Sequence, residues 1–189
     1  HPVPRGCVVV ACDVAADSAY KRYAAVDAAG LHALVAGTAP EQRSYYAVNA
    51  LACPSHLYAD VEQAGGDDAA ALCAIERFCI CARERMGQEV VGALVLRAPD
   101  KPSFHVHLRG ARPYAHVGHA GLVARAVYGD LDAAAQAWVD TKVYDMNRCF
   151  RLLGCCKPKR GVGSAFRRVR PDEAVAAGAP WLAELLDRC

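Results

Sequence analysis

Three short segments carry the side chains whose types and spacing could support chemistry at phosphate groups. The first, Leu57-Tyr58-Ala59-Asp60-Val61-Glu62, places two carboxylates two residues apart. In a β-strand both would point to one face, where they raise each other's pKa unless a cation neutralises them. Hard divalent ions such as Mg²⁺ prefer carboxylate oxygens. An ordinary exposed strand end also carries such a pair, so its interpretation depends on the other two segments.

The second segment, Lys101-Pro102-Ser103-Phe104-His105-Val106-His107-Leu108, alternates strictly between polar and apolar residues. This pattern predicts a strand with its apolar face on the core and Ser103, His105 and His107 on the other face. With Lys101 beside it, the polar row could hold phosphate oxygens. Taken alone, His105 fits a hydrogen-bonded structural histidine better.

The third segment is predicted to be a β-hairpin that carries a further acid. Its first arm is Trp138–Tyr144, with Asp140, Lys142 and Tyr144 on one face, followed by a turn at Asp145-Met146-Asn147. The return arm carries Arg148 and Arg151 and leads to Lys157. One hairpin would then present an acid on one arm and cations on the other, although ordinary surface hairpins often show such charges.

Basic residues are concentrated in the last third of the chain. Residues 142–170 contain nine lysines and arginines and a single aspartate, although the whole chain has a net charge of only +2. Such a block predicts a surface that faces a polyanion. The predicted nucleic-acid contacts are Lys159, Arg160, Arg167 and Arg168. The alternative is a basic face that is merely solvated.

Apolar periodicity indicates a mixed α/β (α+β) fold in which these segments are strands. The predicted strands are Arg5–Cys12, Ser55–Glu62, Glu89–Arg97, Ser103–Arg109, Trp138–Tyr144 and Cys149–Gly154. The predicted helices are Asp67–Met86, with Gly87 as its stop, Ala120–Ala137 with a break near Gly129, and Glu173–Leu186 interrupted at Gly178 and Pro180.

Composition excludes several classes of protein. With 189 residues, 54% of them hydrophobic, the chain is expected to form one compact domain without disorder, and no apolar run approaches the roughly 18 residues needed to cross a bilayer. The ten cysteines lack the spacing of a zinc or redox pair and are expected to be reduced. His116 and His119 are not expected to bind zinc. Gly161-Val162-Gly163-Ser164 lacks P-loop spacing and is expected to be a flexible turn.

Together, the three segments resemble the catalytic core of the archaeo-eukaryotic primase superfamily, in its primase-polymerase and herpesvirus-type primase branch. The D-x-E pair, the Ser103-Phe104-His105 element preceded by Lys101, and Val139-Asp140-Thr141-Lys142-Val143-Tyr144 follow the order of that family's motifs. The extension Asn147-Arg148-Cys149-Phe150-Arg151-Leu152 and Lys157 are similar to the same branch. The resemblance spans about Tyr45 to Lys157.

The resemblance implies a fold, a reaction and a set of site residues. The fold would be one catalytic domain of two modules, approximately residues 1–100 and an RRM-like 101–189, with the active site between them. The reaction would be template-directed nucleotidyl transfer that makes or extends primers. The implied metal ligands are Asp60, Glu62 and Asp140, and the implied nucleotide-binding residues are Lys101, Ser103, His105, Arg148, Arg151 and Lys157.

The same resemblance implies partners and cofactors. We expect Mg²⁺ or Mn²⁺ in a two-metal site, single-stranded DNA template and primer, NTP or dNTP, an intracellular location and no membrane association. The cysteine and histidine zinc module that usually follows this core is not recognisable, so initiation would need a zinc module or helicase outside the chain. The alternatives are a non-enzymatic single-stranded nucleic-acid-binding module and a metal-dependent nuclease.

Overall fold

Two antiparallel sheets organise the computed structural model of the chain, which describes residues 3–15, 20–48, 53–144 and 148–189. Within these ranges the fold is mixed α and β, with six α-helices. The first sheet has the strand order β2-β1-β3-β8 and the second β7-β4-β6-β5-β9. None of the helices described has the length and apolar character needed to span a bilayer.

The elements follow one another along the chain with these bounds. The strands are β1 Val8–Asp13, β2 Lys21–Val26, β3 Tyr45–Val48, β4 Leu57–Glu62, β5 Val90–Arg97, β6 Ser103–Gly110, β7 Val139–Asp140, β8 Cys149–Arg151 and β9 Arg167–Arg168. The α-helices are α1 Ala28–Ala36, α2 Asp68–Arg85, α3 Val117–Asp130, α4 Ala133–Gln136, α5 Pro171–Ala176 and α6 Pro180–Asp187.

The central strands and the long helix form as the periodicity predicts. Asp67 caps α2 by accepting a hydrogen bond from the Ala70 amide at 2.7 Å, and Gly87 follows the helix with a φ of 61°. The apolar residues of α2 share one core with the buried face of β6, where Phe104, Val106 and Leu108 are fully buried. The opposite face of β6 is therefore left for its polar residues.

The predicted hairpin at residues 138–154 is wrong. β7 ends at Asp140 and pairs with β4 in the second sheet, whereas β8 pairs with β3 in the first. After β7 the chain turns into a 3₁₀ segment, Thr141–Tyr144, because Asp140 Oδ1 accepts a hydrogen bond from the Lys142 amide at 2.8 Å. The predicted turn at Asp145-Met146-Asn147 lies outside the described residues.

Two further differences concern helix breaks and missed strands. The break expected near Gly129 lies at Leu131 and Asp132, where Asp132 caps α4 through the Ala135 amide. The periodicity did not predict α1, β2, β3 or β9. The β5–β6 hairpin crosses residue 100, so the second sheet takes strands from both sides of the module boundary expected there.

Phe150 on β8 joins the two sheets. Its ring lies 4.8 Å from those of Tyr58 and His105 on the polar face of the second sheet. Tyr58 in turn donates a hydrogen bond to the Val143 carbonyl at 3.1 Å, and the Tyr144 hydroxyl donates to the Tyr58 carbonyl. These contacts hold β8 and the 3₁₀ segment against β4, where the acidic residues lie.

Candidate active site

Pairing of β4 with β7 brings two acids from distant parts of the chain side by side. Asp60 lies directly opposite Asp140 in the antiparallel register, and directly opposite residues project to the same face. Glu62 follows Asp60 on that face, and its amide donates to the Trp138 carbonyl at 2.7 Å. The three acids expected from the sequence therefore lie on one face at one end of the sheet.

Asp60 is a partly buried acid flanked by two other acids. Burial, and then the charges of Glu62 and Asp140, raise the pKa of Asp60 to about 6. Its Oδ1 atom is buried and accepts no hydrogen bond. A buried carboxylate oxygen that lacks a hydrogen-bond partner and lies beside two other acids would be stabilised by a bound cation.

Glu62 has two partners. Its carboxylate accepts a hydrogen bond from the ammonium of Lys101, and the hydroxyl of Ser103, its cross-strand neighbour, also lowers its pKa. Burial acts to raise the pKa of Glu62, but these interactions outweigh it and hold that pKa below its usual value. Glu62 is therefore ionised near neutral pH.

The polar residues of β6 share one face, as its alternation predicts, and the pairing of β6 with β4 places them beside the acids. Ser103 is opposite Glu62, and His105 is opposite Asp60. The His105 ring packs between Phe150 and Phe166, with centroids 4.8 and 4.4 Å away. Burial, and then the charges of His107 and Arg151, lower the pKa of His105 to about 3, so the imidazole is neutral near pH 7.

Arg151 brings a cation from the first sheet to the same place. Its guanidinium lies 4.5 Å from the centroid of the Phe166 ring and donates to the Ser164 carbonyl at 3.1 Å. The Nε atom of Arg151 and the Nδ1 atom of His105 are buried without a hydrogen-bond partner. Unpaired polar atoms therefore face the site from both sheets.

The loop after β8 is ordered by its own hydrogen bonds. The Lys157 amide donates to Ser164 Oγ at 2.9 Å, and Ser164 Oγ donates to the Gly161 carbonyl at 2.8 Å. Gly161 has a φ of 59°, which a residue with a Cβ adopts only under strain. Residues 161–164, where a flexible turn was expected, contain a 3₁₀ turn at Val162–Ser164 in which Ser164 is buried.

These groups enclose a polar cavity of about 170 Å³. Burial, and then repulsion from Arg151, Lys101 and Arg160, lower the pKa of Lys157, which shows how closely the four cations are gathered. Such a cluster favours an anion. The charged and polar side chains that line the cavity are Asp60, Glu62, Asp100, Lys101, Ser103, His105, Arg151, Lys157, Arg160 and Ser164.

The remaining predicted nucleic-acid residues lie outside the cavity. Arg167 forms a two-fold ion pair with Glu173, at 2.6 and 2.8 Å, and Arg168 donates to the Leu186 carbonyl at 2.6 Å. Lys159 is exposed, and Arg148, which was predicted to bind nucleotide, is also exposed and does not line the cavity. The basic block is therefore divided between the cavity wall and ion pairs or hydrogen bonds on another surface.

The acidic residues fit a divalent metal by their chemistry. Asp60 offers an unpaired buried oxygen, and Asp140 is exposed beside it. Carboxylate oxygens are the ligands that Mg²⁺ prefers. In the part of the chain that the structure describes, no three histidine, cysteine or acidic side chains are already placed as a metal-binding group.

Sequence analysis missed four residues of the cavity, namely Ala98, Asp100, Ser164 and Phe166. Asp100 pairs with Arg160, Ser164 closes the loop, and Phe166 supports His105 and Arg151. Asp100 had a usable signal, since it precedes Lys101 in the connection between two predicted strands. Ser164 and Phe166 had none, because their positions depend on contacts between residues distant in the chain.

No protein-family model matches the chain, and no curated protein shows a significant match to it. The three motifs and the geometry of the cavity therefore carry the functional inference.

Proposed function

We propose that this chain is a metal-dependent nucleotidyltransferase of the primase-polymerase type, which makes or extends primers on single-stranded DNA. The observation that carries the proposal is the close placement of two opposite charge sets. Asp60 and Glu62 line the same cavity as four cations, and Asp140 on β7 lies opposite Asp60 on β4, although Asp140 itself does not line the cavity. A nucleoside triphosphate with a divalent ion requires both sets.

The cationic wall supports a role in binding the polyphosphate. Lys157 and Arg151 approach from the first sheet and its loop, and Lys101 from the β5–β6 connection. Neutral His105 and the Ser103 hydroxyl can each donate a hydrogen bond to a phosphate oxygen. Fixed donors of this kind stabilise charge that develops on phosphate oxygens in the transition state.

The acidic row supports a role in holding the metal. Asp60, Asp140 and Glu62 would hold Mg²⁺ or Mn²⁺, which in such sites lowers the pKa of an attacking hydroxyl and neutralises charge on the phosphates. The chain's own residues bind and orient the triphosphate on the opposite wall. Placement of the two reacting groups can by itself contribute several kcal/mol to catalysis, up to about 7–11 in the best cases.

The test is incorporation of labelled nucleotides on primed and unprimed single-stranded DNA with Mg²⁺ or Mn²⁺. Asp60→Asn and Asp140→Asn should each lower incorporation on the primed template by about a hundredfold or more, because each removes a charge from the metal site. Asp172→Asn is the control, since Asp172 pairs with Arg170 on the surface of α5, outside the cavity. It should incorporate nucleotides at the wild-type rate.

Other outcomes identify the alternative functions. Incorporation by Asp60→Asn or Asp140→Asn near the wild-type rate would refute the proposal. Degradation of the template without nucleotide would indicate a nuclease. A non-enzymatic binding module would be indicated if the wild type incorporates no nucleotide and binds DNA in a salt-sensitive way that neither Asp60→Asn nor Asp140→Asn changes. Products on the primed template only would indicate an extension core that initiates with help from another component.

A further inference from the structure

The ion pair between Lys101 and Glu62 joins two groups with opposite proposed ligands. Lys101 Nζ donates to Glu62 Oε1 across the cavity wall. The Glu62 carboxylate would serve a divalent cation and the Lys101 ammonium would serve a phosphate. While they bind each other, each charge is partly neutralised and attracts its own ligand less strongly.

The pair is accessible to exchange. The Lys101 and Glu62 side chains keep 36% and 43% of their surface exposed, so both can be rehydrated or bound by an incoming ion. Ion pairs this exposed contribute little stability, so a ligand can separate them at low cost. Ser103 is the cross-strand neighbour of Glu62 and lowers the pKa of that carboxyl, so it favours the ionised form of Glu62 independently of Lys101.

Lys101 differs from the other cations of the cavity because it bonds directly to an acid of the β4 and β7 row. Arg160 pairs with Asp100, which lies outside the acidic row of β4 and β7. Arg151 bonds to the Ser164 carbonyl. Lys157 acts on Glu62 through its charge, whereas Lys101 acts through both its charge and a hydrogen bond.

We infer that Lys101 is an exchange residue that couples the two halves of the site. A divalent cation at Glu62 displaces the Lys101 ammonium, and the released ammonium binds the polyphosphate of the nucleotide. Cation and polyphosphate then bind with positive coupling, in addition to their direct attraction for each other. The inference rests on the proposed function and adds to it a mechanism by which the metal prepares the nucleotide site.

Glu62→Gln both frees Lys101 and removes a negative charge from the cavity. Anion binding without metal can distinguish these two effects. Inorganic tripolyphosphate is titrated in the presence of EDTA into wild type, Glu62→Gln, Lys101→Met and the double variant by calorimetry. Glu62→Gln should bind tripolyphosphate about two- to fivefold more tightly than wild type, as expected for the loss of an exposed ion pair. That gain should disappear in the Lys101→Met background. An equal gain in both backgrounds, or no gain in either, overturns the inference.

Cation binding without nucleotide tests whether Lys101 also hinders the binding of a divalent cation at Glu62. Mn²⁺ is titrated into each variant, with the free ion measured by electron paramagnetic resonance. Lys101→Met should bind Mn²⁺ about two- to fivefold more tightly than the matched variant Lys157→Met, which removes a charge from the same cavity without freeing Glu62. Equal affinities for the two variants would overturn the inference.

The outcomes distinguish this inference from the proposed function. Both titrations are equilibrium measurements that need no turnover, and a thermal melt of each variant verifies that it is folded. If Glu62→Gln and Lys101→Met show no coupling in tripolyphosphate binding while the wild type incorporates nucleotides, only the exchange is refuted. Intact coupling without any incorporation refutes the polymerase proposal and leaves the exchange in place.

Discussion

Asp60 illustrates, at the scale of a residue, how a proposed metal ligand carries a cost to stability. Burial removes its hydration, and its neighbours Glu62 and Asp140 repel its charged form, so its pKa rises from 3.8 to about 6. Between these two pH values the folded chain binds a proton more tightly than the unfolded chain. The contribution of Asp60 to stability therefore falls as the pH rises through that window and is least favourable above pH 6.

Asp60→Asn should consequently stabilise the folded chain while strongly lowering the proposed nucleotide incorporation. At pH 8 the free energy of unfolding should increase by on the order of 1–3 kcal/mol, because the substitution removes a buried charge, and the gain should shrink near pH 4. Urea denaturation at both pH values measures it.

Glu62→Gln provides the control for this prediction. The pKa of Glu62 is lowered, so its charge contributes stability above its unfolded pKa, and that contribution is lost as the pH falls through the folded pKa. The variant should show no stabilisation at pH 8. Destabilisation by Asp60→Asn at pH 8 would contradict the account of this site.

The sequence indicates residue positions well where alternation determines them. The shared face of Asp60 and Glu62, and the polar row that contains Ser103 and His105, follow from the period of a strand. The partners of individual cations do not follow from any local pattern. Arg167 lies in the basic block, yet its ion pair with Glu173 depends on how β9 meets α5.

At the scale of elements, the packing of α3 on the 3₁₀ segment after β7 holds Asp140 in register. A Cβ added at Gly121 would lie 2.8 Å from the Cβ of Tyr144, whereas one added at Gly129 on the same helix would meet nothing within 4 Å. The Tyr144 hydroxyl bonds to the Tyr58 carbonyl of β4. A shift of Tyr144 would therefore be transmitted towards both acidic strands.

Gly121→Ala should destabilise the chain by about 1–3 kcal/mol, because the added methyl group overpacks the contact with Tyr144. Gly129→Ala is the matched control and should stabilise it by about 0.5–1 kcal/mol, since alanine is the better helix former. Chemical denaturation measures both. Similar effects of the two substitutions would contradict the packing described for α3.

Elements were predictable from the sequence where their apolar period was long and regular. α2, β5 and β6 were predicted within one to two residues, because each has a continuous buried face. β2 was not, since most of its residues are exposed and alternation is not visible there. The 138–154 hairpin failed because Asp140 turns the chain through its own side chain, and β8 then pairs in another sheet.

At the scale of the whole molecule, the site exists only because two sheets meet. The acids and the polar row belong to the second sheet, while Arg151 belongs to the first and is brought in by the packing of Phe150. The α and β class was accessible from periodicity. The order of strands was not, because the pairs β3 with β8 and β4 with β7 each join segments far apart in the chain.

The location of a bound divalent ion tests the central claim most directly. Crystals of the wild-type protein grown with Mn²⁺ and inorganic tripolyphosphate should show an anomalous difference peak about 2–2.5 Å from carboxylate oxygens of Asp60 and Asp140, with the polyphosphate against Lys157 and Arg151. The Lys101 ammonium should then lie on the polyphosphate and no longer on Glu62. The absence of any peak between these acids at saturating Mn²⁺, or a peak only elsewhere on the chain, would contradict the account.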